Sequence, residues 1–179
     1  SSDKYTVSTD AALGATQNIS TVGARTADDT VNINGASVHT IATGDGTDTI
    51  NFNAGSGLTN ADSVDGGVGT DTLKVSDVLA ATDLNGVRNV EVFNLTAGGS
   101  TITPADAVLA AGASATINIG AGATIDLSNE TNGQYNVVLA GGANSVKMTS
   151  NNLVDTYTAA GGADVFTINT TQNTVANLA

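Results

Sequence analysis

Apolar residues in this chain recur as pairs separated by one residue, and that spacing limits the fold more than any other feature. The pairs are Val31/Ile33, Ile50/Phe52, Leu73/Val75, Val90/Val92, Ile117/Ile119, Ile125/Leu127, Val137/Leu139, Val146/Met148 and Phe166/Ile168. A strand turns alternate side chains to one face, so a period of two marks a strand with one buried side. Nearly every pair is bounded by Gly, Asn, Asp or Thr, residues that suit turns. The spacing predicts many short strands, each three to five residues long.

The turns repeat with the strands. "TGDGTDTINF" (43–52), "DGGVGTDTLKV" (65–75), "AGGANSVKM" (140–148) and "AGGADVFTI" (160–168) share a small-residue turn, an Asp or Asn, a one-residue spacer and an apolar pair. "TADDTVNI" (26–33) keeps the second half of that unit without its glycines. An uneven internal repeat of this kind predicts a solenoid, in which each unit buries its strand by stacking on its neighbours. Composition agrees: there are 21 glycines and one proline, aromatics make up only 3%, and hydrophobics reach 40%, too many for a disordered chain. The expected fold is all-β, a parallel β-solenoid of short strands with one or two short helical insertions. Residues 1–179 read as a single module, a segment of a longer exported chain.

The better-signalled insertion is "TITPADAVLAAG". Thr103 can cap, Pro104 fits the first helical position, Asp106 suits the positive end of the dipole, and Gly112 suits the left-handed exit. A helix is therefore expected over 105–111. A second short helical turn is expected within 76–87, with Ser76 as its cap.

Charge excludes some partners. Seventeen acidic side chains against five basic ones give a net charge of -12. Nucleic-acid binding rests on Lys and Arg, and so does attraction to an anionic membrane, so neither partner is expected. No apolar run is long enough to cross a bilayer as a helix, and no membrane insertion is expected. An acidic chain suits divalent cations, which relieve carboxylate repulsion. There is no cysteine, so disulfides play no part.

Gly66 to Lys74, "GGVGTDTLK", matches the nonapeptide G-G-x-G-x-D-x-U-x at every fixed position. Thr43 to Asn51 matches at Gly44, Gly46, Asp48 and Ile50, with Thr43 where the first glycine belongs. Ala159 to Thr167 keeps Gly162, Asp164 and Phe166. In these residues the chain resembles bacterial surface-layer and RTX-like calcium-binding repeat proteins. The resemblance implies calcium held by turn carbonyls and aspartate carboxylates, with the U residue in the core. Carried over by position, the ligands would be Gly67, Gly69 and Asp71 from one turn and Gly44, Gly46 and Asp48 from the other. Asp45 and Asp65 would supplement them, and Asp164 would serve in the third match. The nonapeptides are not in tandem here, so a site must be completed across a longer coil. An architectural reading competes, in which the glycines serve turn geometry and bind no metal.

The resemblance also implies an extracellular, cell-surface protein, structural and non-enzymatic, that associates with itself into a lattice or filament. An adhesin that binds a cell-surface glycan is the alternative. A β-helix polysaccharide lyase is a third, with Arg88, Asp83 and Glu91 as its candidate residues. His39 is the only histidine and is expected on a strand facing solvent. The N-x-[ST] triplets at Asn18, Asn94, Asn129 and Asn169 arise by chance in a chain so rich in Asn and Thr.

Overall fold

A computed structural model describes residues 6–9, 16–21, 26–149, 151 and 153–167. In chain order the strands are β1 (Thr6–Ser8), β2 (Gln17–Ser20), β3 (Thr30–Ile33), β4 (His39–Ala42), β5 (Asp45–Gly46) and β6 (Thr49–Phe52). Then come β7 (Ser63–Asp65), β8 (Val68–Gly69), β9 (Thr72–Val75), β10 (Val87–Arg88), β11 (Val92–Leu95) and β12 (Thr101–Ile102). The last six are β13 (Ser114–Ile119), β14 (Thr124–Asp126), β15 (Gln134–Leu139), β16 (Ser145–Lys147), β17 (Thr156–Ala159) and β18 (Val165–Thr167). Strand lengths run from two residues to six, a wider spread than expected.

The strands wind into a parallel β-solenoid of about seven turns. One eight-stranded sheet, ordered β1-β3-β6-β9-β11-β13-β15-β17, runs its length. Two four-stranded sheets, β10-β7-β4-β2 and β12-β14-β16-β18, each accompany part of it, and β5 pairs with β8 in the turns. Glycine turns at 43–48 and 66–71 lead into the long sheet, whereas those at 120–123, 140–144 and 160–164 lead out of it. The short corner thus changes sides midway, which is why the repeat is uneven along the chain.

Register explains the core. Val31, Ile50, Leu73, Phe93, Ile117, Val137 and Tyr157 pair in one inward column of the long sheet. Ile33, Phe52, Val75, Leu95, Ile119 and Leu139 form the next, and all of these side chains are buried. Ile41, Val64 and Val87 in the first half, and Ile102, Ile125 and Val146 in the second, close the interior from the shorter sheets. Burial of aliphatic layers, at about 25 cal/mol per Å² of apolar surface, is the main stabilising contribution. A coil cannot bury its own strand alone, so stability belongs to the stack.

Three expectations are corrected. Over 105–111 the chain makes only a 3-10 turn at Asp106–Val108, flanked by extended Ala105 and Leu109, and no side chain caps it. Coil-to-coil bonds hold the segment to its neighbours at both ends: the Thr103 N–H goes to Ala81 O, the Ala105 N–H to Asn85 Oδ1, and the Gly112 N–H, which a continued helix would turn back on its own chain, to Asn132 O. Within 76–87 the chain makes tight turns over 81–86 and no helix, and the Ser76 N–H extends the sheet by donating to Phe52 O. His39 is fully buried, because β4 turns residues 39 and 41 inward and leaves Val38 outside. Its ring packs edge-on against Phe52, and Nδ1 lies 3.2 Å from Asp62 Oδ1.

The Val90/Val92 pair holds only in its first member: Val90 is buried in the core, but the alternation shifts by one residue where β11 begins. Phe93 and Leu95 face inward, and Val92 faces out. Phe166 is half-buried, while Ile168 lies outside the described residues.

Outside, the long sheet carries amide ladders. Asn51 Nδ2 donates to Asn32 Oδ1 and Asn118 Nδ2 to Asn94 Oδ1, both at 2.8 Å. Lys74 sits in register between Asn51 and Asn94 and interrupts the ladder. Replacing it as Lys74→Asn joins the two runs and should stabilise the protein by about 0.5–1 kcal/mol, read as a higher melting temperature. A melting temperature below wild type would show that the amide ladder contributes nothing.

Candidate functional site

The two best nonapeptide matches do stack. Their turns pair Asp45 with Val68 and Gly46 with Gly69, and the Val68 N–H donates to Gly44 O at 2.8 Å. Gly44, Gly46, Gly67 and Gly69 have φ of 95°, 151°, 97° and 153°. Each turn also lies directly on the backbone beneath it. A Cβ on Gly69 would overlap the carbonyl of Gly46, one on Gly67 that of Gly44, and one on Gly46 that of Ala27. These glycines therefore serve both conformation and close stacking.

The acids form a column at the start of the long sheet's strands. The Asp29 N–H donates to Asp48 Oδ1 at 2.7 Å, and the Asp48 N–H to Asp71 Oδ1 at 2.8 Å. The Asp71 N–H donates to Glu91 Oε2 at 2.8 Å. A strand's first N–H meets no ladder partner at a corner, and the acid of the following coil supplies one. Asp48 and Asp71 are both fully buried. One oxygen of each accepts the N–H below, but Asp48 Oδ2 and Asp71 Oδ2 have no partner within the protein.

Two such oxygens on successive coils are electrostatically costly. Burial is the largest effect on Asp71, and the hydrogen bond from Asp48 opposes it. The charges of Asp48, Glu91 and Asp65 add to the rise, which takes the carboxyl to about 7. A positive species, proton or metal ion, is what this corner needs.

Asn144 shows the neutral solution. It occupies the equivalent place before β16, where Asp164 Oδ1 accepts its N–H at 3.0 Å and its own Oδ1 accepts the Ala123 N–H. Its amide Nδ2 donates to Ala140 O, Gly142 O and Asp164 Oδ1. In Asp48 and Asp71 an oxygen replaces that donor. Asp164 thus belongs to this other corner, away from the two stacked turns.

The remaining candidates are spread out. Asp45 is exposed on its turn. Asp65 points outward and binds Arg88 Nε at 3.0 Å and Asn89 Nδ2 at 2.7 Å. Arg88, Asp83 and Glu91 go to different partners: Asp65, the Ala80 N–H and the Asp71 N–H. Asp29 was not among the residues singled out by sequence, and Glu91 was singled out only as a lyase candidate, not as a member of the calcium corner. The half-unit "TADDTVNI" carried the signal for Asp29, and placing Phe93 and Leu95 inward would have aligned Glu91 with Asp71.

Among the described residues, no three His, Cys, Asp or Glu side chains gather to hold a metal between them. The carbonyl of Gly44 is already bonded to the next coil. Calcium takes six to eight oxygens, so here two carboxylates would need turn carbonyls and water to complete the shell. The two unpartnered buried oxygens fit such an ion in charge and in hardness. No protein-family model, curated protein or solved structure matches the chain.

Proposed function

We propose that this chain is a non-enzymatic structural module of an extracellular, cell-surface protein. Calcium stiffens it at the glycine–aspartate corner, and further copies join it in a lattice or filament. The observation that carries this reading is the pair of buried, unpartnered oxygens, Asp48 Oδ2 and Asp71 Oδ2, on stacked turns. Asp48 and Asp71 would hold the ion, which would supply charge compensation that the protein lacks there. Low calcium inside a cell would leave the corner self-repelling, and abundant calcium outside would favour the stacked coils. Parallel strands that pair coil on coil support this reading, because the same backbone pairing can join one copy to another.

Light scattering and electron microscopy of protein stripped with EDTA, then returned to millimolar calcium, test the assembly. Ordered sheets or filaments that appear with calcium and dissolve with EDTA are expected. A monomer unchanged by calcium would remove the assembly claim.

An adhesin reading has one observation in its favour. A shallow trough of about 600 Å³ on the outer face of the long sheet is lined in part by Lys74, Asn94, Asn118 and Val138. Its lining is mainly apolar and includes Leu95, Ile119 and Leu139, and the amides and ammonium beside them could bind glycan hydroxyls. Saturable glycan binding by the monomer would bring this reading forward.

A further inference from the structure

A second pair of acids meets at a different corner, where no glycine–aspartate turn exists. Asp106 lies in the 3-10 turn, and Glu130 lies on the next coil. Asp106 Oδ1 accepts the Thr131 N–H and its hydroxyl, each at 2.8 Å. Glu130 Oε1 accepts the N–H groups of Asn132 at 2.9 Å and Gly133 at 2.6 Å. Each carboxylate thus commits one oxygen to the turn at 130–133. Glu130 is only 2% exposed, and its Oε2 has no hydrogen-bond donor within the protein. Its carboxyl lies against that of Asp106.

A third group, buried on the same coil as Glu130, also lacks a partner. The hydroxyl of Tyr135, a residue 1% exposed, has no partner either. Among the charges acting on it, Glu130 is the strongest, followed by Asp155 and Asp106. Burial, more than any other effect, raises the Glu130 carboxyl above its usual range, and the charge of Asp106 adds to it. Two hard carboxylates from successive coils, one with a buried unpartnered oxygen, suit an oxygen-seeking divalent ion. Neighbouring ligand oxygens in a calcium shell, with bonds of about 2.4 Å, stand close together, so carboxyls in contact are compatible with one ion beside both.

We propose that Asp106 and Glu130 form an inter-coil site for a hard divalent cation of the calcium class, with Tyr135 five residues after Glu130 on the same coil. The site is independent of the glycine–aspartate corner. It ties the irregular turn at 106–108 to the coil that follows.

Terbium, a luminescent substitute for calcium, tests this on the whole chain. The protein has no tryptophan and three tyrosines, Tyr5, Tyr135 and Tyr157, so tyrosine-sensitised emission reports an ion close to one of them. Wild type is expected to give sensitised emission that excess calcium quenches. Glu130→Gln keeps an acceptor for both turn N–H groups and should fold, yet lose that emission. Tyr135→Phe should lose the emission while keeping a calcium-dependent rise in melting temperature. Asp71→Asn should leave the emission unchanged, which separates this site from the glycine–aspartate corner. Absent emission in wild type, or emission retained by Glu130→Gln or by Tyr135→Phe, would overturn the proposal and leave a shared proton between the two acids.

Discussion

Gly69→Ala should lower the stability of the solenoid by more than about 4 kcal/mol, enough to lower the melting temperature by roughly 10 °C or to prevent folding. Two costs add at this position. The residue sits at φ of 153°, and a Cβ there would overlap the carbonyl oxygen of Gly46 on the coil beneath. That oxygen is backbone and cannot step aside, so β5 and β8 must separate. Gly55→Ala is the control, since its φ is 82° but a Cβ would meet nothing within 4 Å. It should cost only about 1–2 kcal/mol, the strain of positive φ alone. Thermal denaturation of both variants reads the difference. A Gly69→Ala protein that melts within a few degrees of Gly55→Ala would show that close turn stacking is unimportant.

The second large effect belongs to Asp71. Its carboxyl titrates near 7 in the folded chain, against 3.8 in an ordinary environment. The folded state therefore holds the proton more tightly than the unfolded state between those two values. Stability is intact below about pH 4, falls as pH rises through 7, and then levels off. In EDTA, wild type should lose about 2–4 kcal/mol across that window. Asp71→Asn keeps an oxygen for the Asp48 N–H, carries no charge, and gains an amide donor of the kind Asn144 uses. It should flatten the profile and be more stable than wild type at pH 8 without metal. Urea denaturation at pH 4.5, 6 and 8 checks this. Parallel pH profiles for the two proteins would mean that Asp71 is not a strained acid.

Most of the architecture was legible in the sequence because it rests on a local pattern. Alternation at Ile50/Phe52 or Ile117/Ile119 needs only the period of a strand, and parallel stacking follows from the recurrence of the unit. What misled was parity at corners. Val38 is apolar and outside, His39 polar and inside, and only the register with Asp62 decides between them. Val92 misled in the same way, because Glu91 takes the corner position that Asp71 takes one coil earlier, whereas Val90 is buried as the pattern expects. The helix signals in "TPADAVLAAG" were sound locally, but inter-coil hydrogen bonds outweighed intrinsic propensity.

The candidate site was legible in its residue types and only partly in its membership. The glycines and Asp48 and Asp71 do come together, whereas Asp65 and Asp164 have other partners. Asp29 and Glu91 join the acid column through contacts 19 and 20 residues away, a distance set by coil length and not by any motif. Glu130 and Asp106 are brought together by the same long-range stacking.

The most direct test of a calcium-stabilised corner is the melting temperature of EDTA-stripped wild type and Asp71→Asn, followed through a calcium titration at pH 8. Calcium at about a hundredfold its dissociation constant adds about 2.7 kcal/mol, so wild type should gain roughly 5–10 °C. Asp71→Asn should begin higher and gain much less. A wild-type melting temperature that calcium leaves unchanged, or an equal gain in both proteins, would contradict the account and make the glycine–aspartate corner a device of backbone stacking alone.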